Sequence, residues 1–250
     1  YDTVHNHGGY QRVIVDGDFA TSHGNDCLGA DCTTGIWLIL GMIEADVAGT
    51  YIIHADEEVG CLGSRAFVKD NSDFLDGYNA CISFDRKGYN SIVTHQMGQR
   101  SCSTEFASSL DAILGMDMIA DDGGVFTDSA EYVDVVPECT NISVGYFNQH
   151  TSSESQDLVF AQRLLDSLIQ ADWGRLVIAR DPSVTEYKPR MSWSTDTRTD
   201  RDDYIDLLDI IAEDPSAVAY SLIELGITPE VLRDEIDAQL DYADRYRYYY

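Results

Sequence analysis

The apolar residues of this chain follow two periods. Helical spacing, with apolar positions three and four apart, marks 104–114 (Phe106, Leu110, Ile113, Leu114) and 158–169 (Leu158, Ala161, Leu164, Leu165, Leu168). The stretch 36–45 is apolar nearly all round and predicts a buried helix, with Thr33 or Thr34 available to cap it. Short apolar or β-branched runs predict strands at 12–15, 50–54, 79–84, 91–95 and 141–146. Asp16-Gly17-Asp18 reads as a turn. Residues 64–68 read as a helix behind a glycine-bearing loop, and Gly123-Gly124 as a loop into a short helix that Asp128 could cap. Strands and helices interleave, which is the pattern of an α/β domain.

The pattern changes near residue 180. Residues 181–200 are rich in Pro, Ser, Thr and charge and read as a linker. Beyond it, 202–212, 215–225 and 229–243 predict three short acidic helices, with Asp214-Pro215 and Thr228-Pro229-Glu230 as start signals. The expected organisation is a catalytic domain over 1–180, the linker over 181–200, and an acidic helical tail over 201–250. No repeat of solenoid length is present.

Charge narrows the function. The 250 residues carry a net charge of −28, and the only lysines are Lys69, Lys87 and Lys188. Such a surface repels phosphate backbones and anionic membranes, which argues against nucleic-acid and membrane partners. Adaptation to high salt and plain lineage bias both account for the acidity. The six cysteines form no C-x-x-C pair, which argues against a thiolate zinc site. They read as small buried residues or reduced thiols, and reduced thiols suggest a cytoplasmic protein.

The chemistry centres on Tyr51-Ile52-Ile53-His54-Ala55-Asp56-Glu57-Glu58, an apolar run ending in three consecutive carboxylates. Carboxylates repel one another and resist burial, so the cluster is either a solvated loop or a cation site. Position favours the cation, because ligands in open α/β sheets bind just past the carboxyl ends of strands. Glu57 and Glu58 are therefore read as the catalytic and metal-binding centre of a hydrolase. Asp85 ends the 79–84 strand in the same way, and His150 lies just beyond the 141–146 strand. Asp31 precedes the first long helix, where backbone N–H groups favour an anion. Asp2, His5 and His7 are further polar groups near the start, with a plain polar loop the simpler reading for the two histidines. His95 has no evident partner and reads as a structural histidine.

Taken together, Asp2, Asp31, Glu57-Glu58, Asp85 and His150 resemble the ligand series of the co-catalytic di-zinc exopeptidase superfamily. That superfamily includes aminopeptidases, glutamate carboxypeptidases and N-acyl amino-acid deacylases. Tyr1-Asp2-Thr3-Val4 looks like the end of its His-x-Asp motif, and Gly29-Ala30-Asp31 with Gly35 like its bridging-aspartate motif. Ala55-Asp56-Glu57-Glu58-Val59-Gly60 is the most specific match, and Phe84-Asp85 and Gly145 to Thr151 complete the series. The resemblance covers roughly residues 1–175.

The resemblance implies a three-layer sandwich whose central mixed, mostly parallel sheet is flanked by helices. It implies two zinc ions bridged by Asp31, with Glu58 and His150 on one ion and Asp85 on the other. Glu57 would be the general base, and Asp2 would orient a first-motif histidine. That histidine would stand ahead of Tyr1 and is missing from this chain, which therefore reads as N-terminally truncated relative to the family. A cis peptide is expected at Asp31–Cys32, and Cys32 stands where relatives commonly carry Asp or Asn. Only 64 residues separate Asp85 from His150. That is too few for an inserted dimerisation domain, so the lidless aminopeptidase-like branch fits best.

The expected substrate is a peptide or an N-acyl amino acid, and the oligomeric state stays open. A deacylase or carboxypeptidase of the same superfamily, or an inactive relative used for binding, are the alternatives. A Rossmann-type nucleotide site lacks its glycine fingerprint here.

Overall fold

The computed structural model describes residues 12–58 and 60–186, together with Val218 and Arg233, both in helix. Asp2, His5, His7 and the expected tail helices lie outside the described residues, apart from those two positions. The chain divides into two units, Tyr1–Arg190 and Met191–Tyr250, and everything below belongs to the first.

The first unit runs β1 (Val13–Asp16), β2 (Phe19–Ser22), α1 (Ala30–Glu44), α2 (Leu62–Asp70), α3 (Ser72–Leu75), β3 (Ala80–Arg86), β4 (Ser91–Val93), β5 (His95–Gln96) and β6 (Gln99–Arg100). It continues through α4 (Thr104–Leu114), β7 (Ile119–Asp121), a 3₁₀ turn (Asp128–Tyr132), β8 (Glu138–Ser143), β9 (Tyr146–Phe147), β10 (Ser155–Asp157) and α5 (Leu158–Gln170).

The central sheet has the order β3-β8-β4-β7. β3 runs parallel to β8 and β4 parallel to β7, while β4 and β8 are antiparallel. Strand alternation sorts its side chains onto two faces. Ala80, Ile82, Phe84, Ile92 and Ile142 join Leu38, Met42, Phe106, Leu110 and Leu164 from α1, α4 and α5. Cys81 and Cys139 join Leu75, Tyr132, Val133 and Val136 on the other face. Two apolar layers thus sandwich one mixed sheet, as the α/β pattern and the resemblance lead one to expect. A second, antiparallel sheet of order β1-β2-β10-β9 carries the segment that follows His150.

Local chemistry sets the helix ends. Ser103 caps α4 by accepting from the Phe106 N–H, and Asp157 caps α5 by accepting from the Phe160 N–H. Gly115 ends α4 at φ 63°, a conformation that favours glycine. Glu138 is fully buried and accepts from the N–H groups of Ser103, Ala179 and Arg180 and from the Ser103 hydroxyl, at 2.7–2.9 Å. The chain after α5 is thereby tied to the cap of α4. Within the expected linker, Glu186 bonds Arg100 through both its backbone and its carboxylate.

Three expectations are corrected. Residues 50–54 form no strand. They join no ladder among the described residues, and β3 is the outermost strand of its sheet. An apolar cavity of about 370 Å³, lined by Ile36, Tyr51, Ile82 and Phe84 among others, lies between this run and the core. β-propensity describes fitness for a pleated surface and supplies no partner. Thr33 and Thr34 do not cap α1. Its N-cap is Gly29, with no side-chain cap bond, and the Thr34 hydroxyl instead donates to Gln156 Oε1 at 2.6 Å. Asp128 does not cap its 3₁₀ turn, whose N-cap is Thr127. The short strands β2 and β7 carry no period-2 pattern long enough to predict them. None of the six cysteines forms a disulfide. Among the described residues, no helix is long and apolar enough to cross a membrane.

α1 lies very close to the sheet at Gly35. A Cβ there would stand 2.3 Å from the Phe84 carbonyl oxygen, which belongs to a fixed backbone. At Gly41 the same atom would meet only the tip of Leu165, at 2.7 Å, which can turn aside. Gly35→Ala is expected to lower stability by about 1–3 kcal/mol, the usual range for overpacking, and Gly41→Ala by less. Urea unfolding of the two variants checks the order.

Candidate metal centre

Four separate stretches of chain deliver the site. Asp31 comes from the first turn of α1, where its φ/ψ of −79°/108° leave the helical range. The preceding Gly29 is left-handed at φ 80°. The Asp31–Cys32 peptide bond is cis, as the resemblance implied. Glu57 and Glu58 come from the turn before α2. There Gly60 and Cys61 donate to the Glu57 carbonyl, and Gly63 donates to the Ala55 carbonyl. This turn divides the acidic triplet. Asp56 is exposed at φ 61°, while Glu57 and Glu58 are half-buried.

Asp85 comes from the end of β3. The Asn141 side chain grips its backbone, accepting from the Asp85 N–H at 2.9 Å and donating to its carbonyl at 3.0 Å. Tyr146 also donates to that carbonyl. His150 follows β9 at φ 62°.

Asp31, Glu58 and His150 converge. Their ligand atoms all lie within 4.8 Å of one another. His150 Nε2 is 3.1 Å from Asp31 Oδ2 and 3.0 Å from Glu58 Oε1. The Asp31 and Glu58 side chains are largely shielded, while that of His150 is 42% exposed and gives access from solvent. Glu57 lies close enough to raise the Asp85 pKa and lines the adjoining cavity. Asp85 stands outside the group of three but against Asp31. Asp2 cannot be placed, because it lies outside the described residues.

Burial pushes the Asp85 carboxyl well above the usual carboxylate range, and the neighbouring charges of Asp31, Glu57 and Glu58 push the same way. Thr127 donates to its Oδ2 at 3.3 Å, whereas its Oδ1 is shut away with no hydrogen-bond partner. Burial is the largest influence on Asp31 and would raise it, but His150, Asp85 and Tyr146 together outweigh burial and hold that carboxyl below its ordinary value. Asp31 and Glu58 together lift His150 from 6.5 to about 10. An orphaned buried oxygen beside clustered carboxylates, with imidazole at hand, is a donor set that fits divalent zinc. In the metal-free protein the His150 proton fills part of that role.

Pattern reading did not single out Asn141, Tyr146 or Glu154 as parts of the site. Asn141 had a usable signal, since a polar side chain in an otherwise apolar strand needs a bonded partner. Glu154 had none. It sits in a polar loop whose spacing to Asp31 means nothing until the chain is folded.

Neither a family model nor a curated protein matches the chain. Solved structures do. The aminopeptidase PepT from Bacillus cereus superposes with a TM-score of 0.54 at 13% identity, covering 68% of this chain and 78% of that one. PhTET1-12s, solved as a dodecamer in the asymmetric unit, superposes with a TM-score of 0.50 at 16% identity. That match covers 64% of this chain and 52% of the other, so this chain spans about half of its length. The chain thus shares its fold with a solved aminopeptidase.

The raised His150 pKa has a definite consequence for the metal-free protein. A proton held more tightly in the folded state stabilises fully below the unfolded pKa of 6.5, and that contribution is lost as pH rises through about 10. Metal-free wild type is therefore expected to lose stability between pH 7 and pH 10 more steeply than His150→Gln. Thermal midpoints measured in chelator across that range check the difference.

Proposed function

We propose that this chain is a zinc-dependent exopeptidase of the aminopeptidase type. The observation that carries the reading is the meeting of Asp31, Glu58 and His150 ligand atoms within 4.8 Å, with the buried Asp85 carboxyl against Asp31. The aminopeptidase fold supports it.

In this reading Asp31, Glu58, His150 and Asp85 would hold two zinc ions, Glu58 and His150 serving one and Asp85 the other. Bound zinc supplies Lewis acidity to the scissile carbonyl and to the attacking water. Glu57 is the general base. It adjoins the cluster and lines the cavity, so it can take a proton from the attacking water and hand it to the leaving amine. Adjacent Glu57 and Glu58 serve different roles because Glu58 joins the ligand cluster while Glu57 lines the cavity. The peptide nitrogen leaves as a neutral amine, so the proton Glu57 carries is consumed in the same turnover.

Glu57→Gln is expected to keep wild-type zinc content and to lose hydrolysis by about 10²–10⁴-fold, the range for a removed general base. Glu58→Ala is expected to lose zinc. Metal analysis and a panel of aminoacyl-arylamides beside N-acetyl amino acids provide the readouts. Full activity with full zinc in Glu57→Gln removes the base from this role. Turnover of the N-acetyl compounds alone moves the assignment to a deacylase.

A further inference from the structure

One buried carboxylate near the centre belongs to neither the ligand set nor the chemistry. Glu154 is 1% exposed and lies four residues after His150. Its Oε2 accepts from the Gly29 N–H at 2.9 Å and its Oε1 from the Asp31 N–H at 3.1 Å. The two partners lie 125 and 123 residues away in the chain.

Gly29 and Asp31 bracket the point where α1 starts, and α1 has no side-chain cap of its own. The N–H groups of a first helical turn have no partner within the helix and need acceptors. Glu154 supplies them from another segment, and a carboxylate is the strongest acceptor available. Next to it, Gln156 accepts from the Thr34 hydroxyl one turn further along α1, and its amide donates to the carbonyls of Val144 and Asp157. One stretch, 150–157, thus carries a ligand at one end and grips the backbone of a second ligand through its next residues.

This geometry has a mechanical meaning. Asp31 leaves helical φ/ψ, so helical hydrogen bonding does not fix where its carboxylate points. The Glu154 clasp holds the Asp31 N–H, while the Asp31 carboxylate meets His150 at 3.1 Å. The ends of the 150–154 segment therefore touch Asp31 at both its backbone and its side chain. Turning Asp31 out of the site requires breaking a buried, bidentate, charge-assisted pair of bonds.

We infer that Glu154 is a positioning residue, which holds the Asp31 turn at the spacing that lets Asp31, Glu58 and His150 take one metal ion. This rests on the metal-centre reading above. Groups that orient ligands without touching the ion commonly change metal affinity by about 10–100-fold. Glutamine at 154 would present an NH₂ to one of the two N–H donors. Aspartate would keep the charge but fall one methylene short of spanning both.

The experiment titrates the full 250-residue chain with Co²⁺ and follows its visible d–d absorption, which reports ligand geometry directly. Wild type, Glu154→Gln, Glu154→Asp and Glu138→Gln are compared. Glu138 is the control, an equally buried carboxylate that also accepts backbone N–H groups but sits at the α4 cap. The expected result is a tenfold or greater loss of Co²⁺ affinity with an altered band in Glu154→Gln, and a smaller loss in Glu154→Asp. Glu138→Gln is expected to unfold at lower temperature while keeping the wild-type band. If wild type binds Co²⁺ and both Glu154 variants match it in affinity and band, the positioning role is overturned and the metal centre stands. The same holds if Glu138→Gln changes the band as much as they do. If folded wild type gives no band at all, the metal-centre reading itself falls, and this inference with it. Should Glu154→Gln fail to fold, Glu154→Asp decides alone.

Discussion

The constraint on which this structure turns is repulsion among carboxylates at one rim of a sheet. Asp31, Glu57, Glu58 and Asp85 come together where solvent is partly excluded, and the first three make ionisation of Asp85 harder. Charged groups gathered in that way raise the free energy of the fold unless positive charge compensates them. In the metal-free protein, protons supply part of that compensation. His150 holds one far above its ordinary range, and burial drives Asp85 towards its neutral form. A divalent cation among these groups would oppose both shifts.

Such a cluster persists only if the backbone around it cannot relax. The ties are long in sequence and short in space. Asn141 grips the Asp85 backbone from the next strand, and Glu154 grips the Asp31 turn from the loop after His150. Gly35 lets α1 approach the Phe84 carbonyl closely enough to bring Asp31 over the end of β3. None of these residues is among the proposed ligands, yet each sets where a ligand stands. Pre-organisation of this kind is what lets repelling groups be held at ligand spacing.

The overall acidity of the chain and the acidity of the site have different origins. A net charge of −28 is spread over a solvated surface, where water and salt screen it. Among the three adjacent carboxylates the structure draws this distinction residue by residue. Asp56 faces solvent and belongs to the surface, while Glu57 and Glu58 turn inward. Identical chemistry next door in sequence therefore carries opposite meaning, because a tight turn separates the directions of successive side chains.

Much of the architecture was legible in the pattern of apolar positions. The helices at 104–114 and 158–170 follow from periodicity, because burial of one face imposes a period of its own, and apolar runs mark most of the helix at 30–44 and the strand at 80–86, whereas the strand expected over 141–146 runs over 138–143. Residue chemistry also picked out Asp31, Glu58, Asp85 and His150, since carboxylate and imidazole at the ends of apolar runs are unusual enough to stand out. Pairing and convergence were not legible. Residues 50–54 have every local mark of a strand and form none, because a strand exists only with a neighbour to bond. Glu154 looks like any polar loop residue until folding brings it against Gly29 and Asp31, more than a hundred positions away. The sequence by itself determined which segments are helix-like or strand-like and which side chains could bind a cation. Only the tertiary structure decided which of them meet, because contacts between distant segments depend on chain topology that no local period encodes.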